Sequence, residues 1–227
     1  MEDFKSSITG VYNDLSNSDY YGRYFFLIPD VMSDDVKQNS QANRVRNYAE
    51  YVATVADAQA EDMWEVMYEA NVANNAIINS KVEVPAAVQA DKDHIVGEAY
   101  ALRGLIYFDM VRMFAQHYQY TANASHLGVP IVLDFDQLSQ PTRNTVAEVY
   151  AQIISDMQKA LTLMKDTPRS GNKSTLSATA VKALLARVYL YKDDWVNAEA
   201  MATEVINSGK YTLVSNANYV SSWATDY

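Results

Sequence analysis

The chain has 227 residues, with 18 Lys and Arg against 28 Asp and Glu, a formal net charge of −10. That length suits one domain, or two small ones, around a buried core. The acidic field repels polyanions, which argues against nucleic acid as a partner, and it gives no help on an anionic membrane. Cysteine is absent, so disulfides, thiolate metal sites and thiol nucleophiles are excluded together.

Glycine (7) and proline (5) are scarce, so the stretches between them are free to form continuous helix. The sequence holds no run of about 18 apolar residues, the length that a membrane-spanning helix needs. The opening Met1-Glu2-Asp3-Phe4 has neither the basic nor the apolar stretch of an export signal. Residues 1–16 read as a short helix, with Phe4, Ile8, Val11, Tyr12 and Leu15 at spacings of three and four. Residues 17–60 are polar and aromatic and form either a long loop or short helices joined by loops. A helix follows over 61–80, with Trp64, Met67, Tyr68, Val72 and Ile78 near one stripe and Glu61, Asp62, Glu65 and Glu69 largely off it.

The longest periodic segment is 92–118, with Ile95, Ala99, Leu102, Leu105, Ile106, Val111 and Phe114 inward. Residues 119–143 lack a helical period, and Gly128-Val129-Pro130-Ile131-Val132-Leu133 is a short extended run. Thr145, with Glu148 three residues on, has the form of a capping box opening a helix to about Met164. Pro168 and Gly171 break the chain. Ser177 starts a helix to about Tyr191, and Trp195 opens another ending at Ser208-Gly209, where Gly209 is a natural C′ residue. The tail 210–227 is polar and aromatic, with no closing element.

Residues 181–209 read as an antiparallel helix pair around a Lys192-Asp193-Asp194 turn. Ala186 and Ala198 are small where two helices approach, and Leu185, Tyr189, Trp195 and Val205 are large where a groove needs filling. The pattern is similar to the tetratricopeptide repeat; an ordinary helical hairpin is the other reading. The predicted fold class is all-α: an irregular tetratricopeptide-like stack of helix pairs with long connecting loops.

The run from Glu98 to Phe114, EAYALRGLIYFDMVRMF, followed by Gly128–Leu133, resembles the SusD/RagB family of surface lipoproteins of Bacteroidetes outer membranes. Tyr20-Tyr21-Gly22-Arg23 leading to Val31-Met32-Ser33-Asp34-Asp35, Trp64 with Tyr68 and Asn74-Asn75, and Ala183–Tyr191 with Trp195, Ala198 and Ser208-Gly209-Lys210-Tyr211 agree in order. The resemblance implies a stack of helix pairs carrying a second, loop-rich part. It also implies a lipid anchor on an N-terminal cysteine and a surface-exposed place in the cell outer membrane. The implied partner is a SusC-like TonB-dependent outer-membrane barrel, and the implied cargo is an oligosaccharide or, in some members, a peptide. The departures are an absent lipobox cysteine, Ala115 where a glycine often follows the Phe, and a long insertion at 116–127. Family members also continue past the point equivalent to Tyr227. Residues 1–227 are thus expected to be a single SusD-like N-terminal helical domain, truncated at both ends relative to the full-length protein.

Catalysis finds little support. His94, His117 and His126 lack a His-x-x-x-His spacing and read as surface or capping residues. Asp91-Lys92-Asp93 and Asp134-Phe135-Asp136 lack the glycine and later Glu of a calcium loop. No carboxylate pair can be assigned to glycoside hydrolysis, and Gly-rich phosphate loops are missing. No catalytic residue, metal site or cofactor is therefore expected. Arg103 and Asp109 read as buried ion pairs with another helix in preference to ligand contacts. Trp64 and Trp195 read as core packing, whereas Tyr219 and Trp223 in the tail are freer to act as a sugar platform.

A neutral glycan is held by ring stacking and by amide and guanidinium hydrogen bonds. Asn39, Gln41, Asn43, Arg44, Arg46, Asn47, Tyr48 and Tyr51 form a stretch of that composition, in an interval that the resemblance places near the ligand-facing edge; a solvated surface is the other reading. The candidate ligand-binding residues are Asn43, Arg44, Arg46, Tyr48, Tyr51 and Trp223. The expected function is a non-catalytic glycan-binding component of a SusC/SusD-type uptake system, capturing oligosaccharide for a TonB-dependent transporter. The alternative is a helical-repeat interaction scaffold with no sugar ligand, and a glycosidase is a distant third.

Overall fold

The computed structural model describes residues 1–39, 44–136 and 138–224. Those residues carry helices α1 (Glu2–Leu15), α2 (Tyr24–Val31), α3 (Arg46–Ala49), α4 (Ala58–Ile78), α5 (Gln89–Phe114), α6 (Val146–Leu163), α7 (Ala178–Tyr191), α8 (Trp195–Asn207) and α9 (Tyr219–Ser222). No strand is present among them, so the all-α expectation holds. The interval 17–60 takes the second of its two readings, short helices joined by loops. Among its described residues, the 210–227 tail carries a short helical stretch over 216–222, a 3-10 turn running into α9.

The chain divides into two compact units, Met1–Lys165 and Asp166–Tyr227. In the first, α1 packs on α4, α4 on α5 and α5 on α6. The pairings are antiparallel: Trp64 meets Phe114 while Asn75 meets Arg103, and Tyr150 meets Phe108 while Asp156 meets Arg103. Neighbours on several sides explain why α5 buries residues around its whole circumference from Gly97 to Val111. Gly104 permits the close approach of α6, because a Cβ there would lie 3.1 Å from Met157 Cγ and 3.2 Å from the Ile153 carbonyl. Gly22 does the same in the loop before α2, where a Cβ would sit 2.5 Å from the Ser16 carbonyl. The Thr145 capping box is complete: Thr145 Oγ1 accepts from Glu148 N at 3.2 Å and Glu148 Oε2 accepts from Thr145 N at 2.8 Å.

In the second unit, α7 and α8 form the expected hairpin. Asp193 takes the turn at φ 61° and Asp194 caps α8 by accepting from Asn197 N at 3.3 Å. Gly209 follows α8 at φ 63°, the left-handed conformation that favours glycine at a helix end. Trp195 is not core packing, however. The residue is 62% exposed, because α8 buries only Ala198 against its neighbour.

Candidate functional site

The 128–133 run is extended but joins no sheet. Its neighbour Leu127 forms a lone antiparallel bridge with Thr145. Backbone bonds to Asn144 hold Gly128 and Val129, and from Pro130 onward side chains take the place of a partner strand. Tyr68 donates to the Pro130 carbonyl at 2.7 Å, Asn75 to Val132 O at 2.9 Å and Asn79 to Leu133 O at 3.0 Å. Tyr107 closes both sides of Val132, donating to its carbonyl and accepting from its N–H at 2.7 Å. Asn144 Oδ1 accepts from Ile131 N, and Arg143 donates to Gly128 O at 2.6 Å. Backbone groups away from water need such partners, so these polar side chains are the reason a strand-like segment can lie on a helical layer.

Beneath it, Arg103 reaches Asp156 of α6 through two bonds of 2.8 and 2.7 Å and Asn75 of α4 through a third of 2.8 Å. This bidentate pair ties three helices together. Burial pushes the Asp156 carboxyl above the usual carboxylate range, against the lowering pull of Arg103. The reading of Arg103 as a pair with another helix is correct. Asp109 differs: its cationic partner is Arg112 on its own helix, and the hydroxyls of Tyr20 and Tyr21 donate to it at 2.6 and 2.5 Å. The Tyr20-Tyr21-Gly22 loop is thereby pinned to α5. Burial also raises Asp109 above the usual range. His94 is neither exposed nor at a helix end. It is buried on α5, accepts from Lys165 N at 2.9 Å and lies 3.5 Å from Glu98, one turn along.

A cleft of about 390 Å³ opens along the edge formed by the C-terminus of α2, the residues after it and α3. It is lined by Ser33, Asp34, Lys37, Gln38, Asn39, Arg46, Glu50 and Tyr51, among others. Arg46 pairs with Glu50 at 2.8 Å across one turn of α3, and the Tyr51 hydroxyl donates to the Met32 carbonyl. Tyr51 holds φ 56°, an uncommon conformation for a residue with a side chain, which turns the chain sharply after α3. Asp57 steadies the next turn. It accepts from Thr54 N and from the Asn47 amide, and these bonds hold its carboxyl below the usual range.

Of the candidates read from sequence, the structure brings Arg46 and Tyr51 together in this cleft. The Tyr48 ring is buried behind α3 and does not line it, and burial raises its hydroxyl above the usual tyrosine value. Arg44 is exposed and outside the lining. Asn43 and Gln41 lie outside the described residues. Trp223 belongs to the second unit, where it is 78% exposed and meets Tyr219 edge to face at 6.1 Å. Sequence reasoning missed Ser33, Asp34, Lys37 and Glu50 as lining. The Ser33-Asp34-Asp35 stretch was visible, but nothing local says that it folds back against α3.

No group of three His, Asp or Glu suited to a metal occurs among the described residues. No described helix is long and apolar enough to cross a membrane. A family model described as "SusD-like_3: Starch-binding associating with outer membrane" matches residues 2–190. The chain belongs to the SusD-like family. It is 22% identical over 95% of its length to SusD-like protein P38 of Formosa agariphila, covering 40% of that protein. A SusD superfamily protein from Bacteroides thetaiotaomicron superposes with a TM-score of 0.88 at 28% identity, over 100% of this chain and 50% of that one. A SusD-like carbohydrate-binding protein from Bacteroides vulgatus superposes with a TM-score of 0.81 at 24% identity, over 96% of this chain and 47% of that one. The chain thus spans half or less of the length of these SusD-like relatives.

Proposed function

We propose that this chain is the helical part of a non-catalytic SusD-like protein that captures oligosaccharide at the outer membrane and passes it to a SusC-like TonB-dependent barrel. The observation that carries the reading is the α2–α3 cleft, whose lining combines hydroxyl, amide, carboxylate and guanidinium groups with the Tyr51 side chain. Such a lining offers donors and acceptors for sugar hydroxyls and one aromatic face for stacking. Two acids, Asp34 and Glu50, stand beside two bases, Lys37 and Arg46, so the cleft carries no net charge. With a chain charge of −10, that balance favours a neutral glycan over a sulfated or uronate one. The lipid anchor belongs to a longer protein of which this chain is a piece. The exposed apolar side chains of the second unit, Val196, Ile206, Leu213 and Val220 among them, are covered there by further chain.

Calorimetric titration with a linear starch-derived oligosaccharide tests the reading. Binding is expected near the millimolar range, weakening about tenfold in Arg46→Ala and again in Tyr51→Ala. Unchanged affinity in both variants removes the cleft as the site. Asn43, Arg44 and Trp223 are tested the same way. Release of reducing ends from the same oligosaccharide would replace capture with hydrolysis.

A further inference from the structure

A second groove, separate from the glycan cleft and sharing no residue with it, runs along the outer face of α4 with a volume of about 760 Å³. Trp64, Tyr68 and Val72 form one stripe at four-residue spacing, and Phe135 stands beside it, 64% exposed. Glu61, Glu65 and Glu69 form a parallel stripe at the same spacing. Glu61, in the first turn of α4, also favours the helix dipole, but Glu65 and Glu69 lie beyond that influence. All three are exposed, and no cation lines the groove among the described residues. Of the two neutral donors in the lining, the Tyr68 hydroxyl is already committed to the Pro130 carbonyl, which leaves the Trp64 indole N–H. Against that single indole donor the lining sets three carboxylates and an apolar stripe, so it is dominated by acceptors and apolar surface.

An occupant must supply surplus donors and positive charge. Ammonium and guanidinium groups are donors without acceptors. Successive carboxylates on one helix face stand about 6 Å apart along the axis, a spacing that side chains four apart on another helix reproduce. A second copy of this chain brings another −10 and is repelled. We infer that the α4 groove docks a basic amphipathic segment of another polypeptide, its Lys or Arg side chains on Glu61, Glu65 and Glu69 and its apolar side chains on Trp64, Val72 and Phe135.

The test uses the whole chain carrying W195F and W223F, which removes two exposed indoles and leaves Trp64 as the reporter. A synthetic helical peptide with Lys at every fourth residue and Leu beside it is titrated by fluorescence. Saturable binding is expected, weakening about tenfold in about 0.5 M salt. It is expected to weaken about tenfold in Glu65→Gln/Glu69→Gln, whose helical circular dichroism stays unchanged because both side chains are exposed. Equal binding of the peptide with Glu in place of Lys overturns the inference. So does unchanged affinity in the double Gln variant, and so does an amino-sugar oligomer that binds as tightly as the peptide. Loss of glycan binding in Arg46→Ala with peptide binding intact keeps this groove distinct from the glycan cleft.

Discussion

Helices α5 and α8 are both rich in apolar residues, yet they end in opposite environments. On α5, sixteen of 26 residues are buried, including Glu98, Arg103 and Asp109. On α8 only Ala198 is buried, while Val196 and Ile206 are 79% and 76% exposed. The difference lies in the number of neighbours. Helix α5 is flanked by α1, α4 and α6 and faces the 128–133 segment, so each of its faces meets a partner. Among the described residues of its unit, α8 packs chiefly on α7. A charge on α5 must therefore find a specific mate, whereas a Trp on α8 finds none. Burial is a property of the assembly around a helix as much as of its pattern.

The largest expected effect is alkaline, and it falls on the α5 side. Burial raises the hydroxyls of Tyr20, Tyr21 and Tyr68 well above the ordinary tyrosine value and Tyr107 to about 12. A raised folded value means that the fold holds the proton. The stability is fully present below the unfolded value near 10 and is lost as pH climbs toward the folded values. Each such group costs up to about 1.4 kcal/mol per pH unit in that window. Four together make the first unit unfold above roughly pH 10 to 11, visible as a joint loss of helical signal and rise of tyrosinate absorbance. Gradual titration of all tyrosines with the helices intact would show that these hydroxyls are not sealed.

Next comes the Arg103–Asp156 pair. Asp156→Ala leaves a buried guanidinium without its carboxylate and is expected to cost about 3–5 kcal/mol in urea unfolding. The double change Arg103→Met/Asp156→Leu is expected to cost much less, because it removes both charges together. Equal losses in the two variants would mean that shape, not charge, holds α5 to α6. A smaller effect is expected for Gly104→Ala. The new Cβ meets the Ile153 carbonyl at 3.2 Å, and backbone yields less readily than the Met157 side chain. The expected loss is about 1–3 kcal/mol, read as a shift of the urea midpoint.

What could be read from sequence was local or periodic. The Thr145–Glu148 capping box and the Gly209 helix end need only neighbouring residues, and both are present. The long α5 period predicts a buried helix, and Arg103 among its apolar neighbours predicts a buried pair. That its mate is Asp156, fifty-three residues on, is a tertiary fact with no local signal. Asp109 misled because Arg112, one turn away, served where a second helix was expected. The 128–133 run reads as extended, but its tie to Tyr68, Asn75 and Tyr107 appears only once three elements are assembled. In the cleft, composition found Arg46 and Tyr51. It could not foresee that Tyr48, two residues after Arg46 and so on another face of the turn, points inward.

The smallest expected effect tests the other half of the comparison. Trp195→Ser removes a large ring from the first turn of α8. If that ring lay in a core, the loss would be about 3–5 kcal/mol. At 62% exposure it is expected to change the unfolding midpoint by no more than about 0.5 kcal/mol. The helix start is held by Asp194, whose carboxyl accepts from the Asn197 amide and backbone and sits below the usual range, so the cap survives the substitution. The same change in a longer protein with the second unit covered should be costly. A large loss in this chain would mean that the exposed face of α8 is already buried here, and sedimentation would then show a self-associated species that disappears with the substitution.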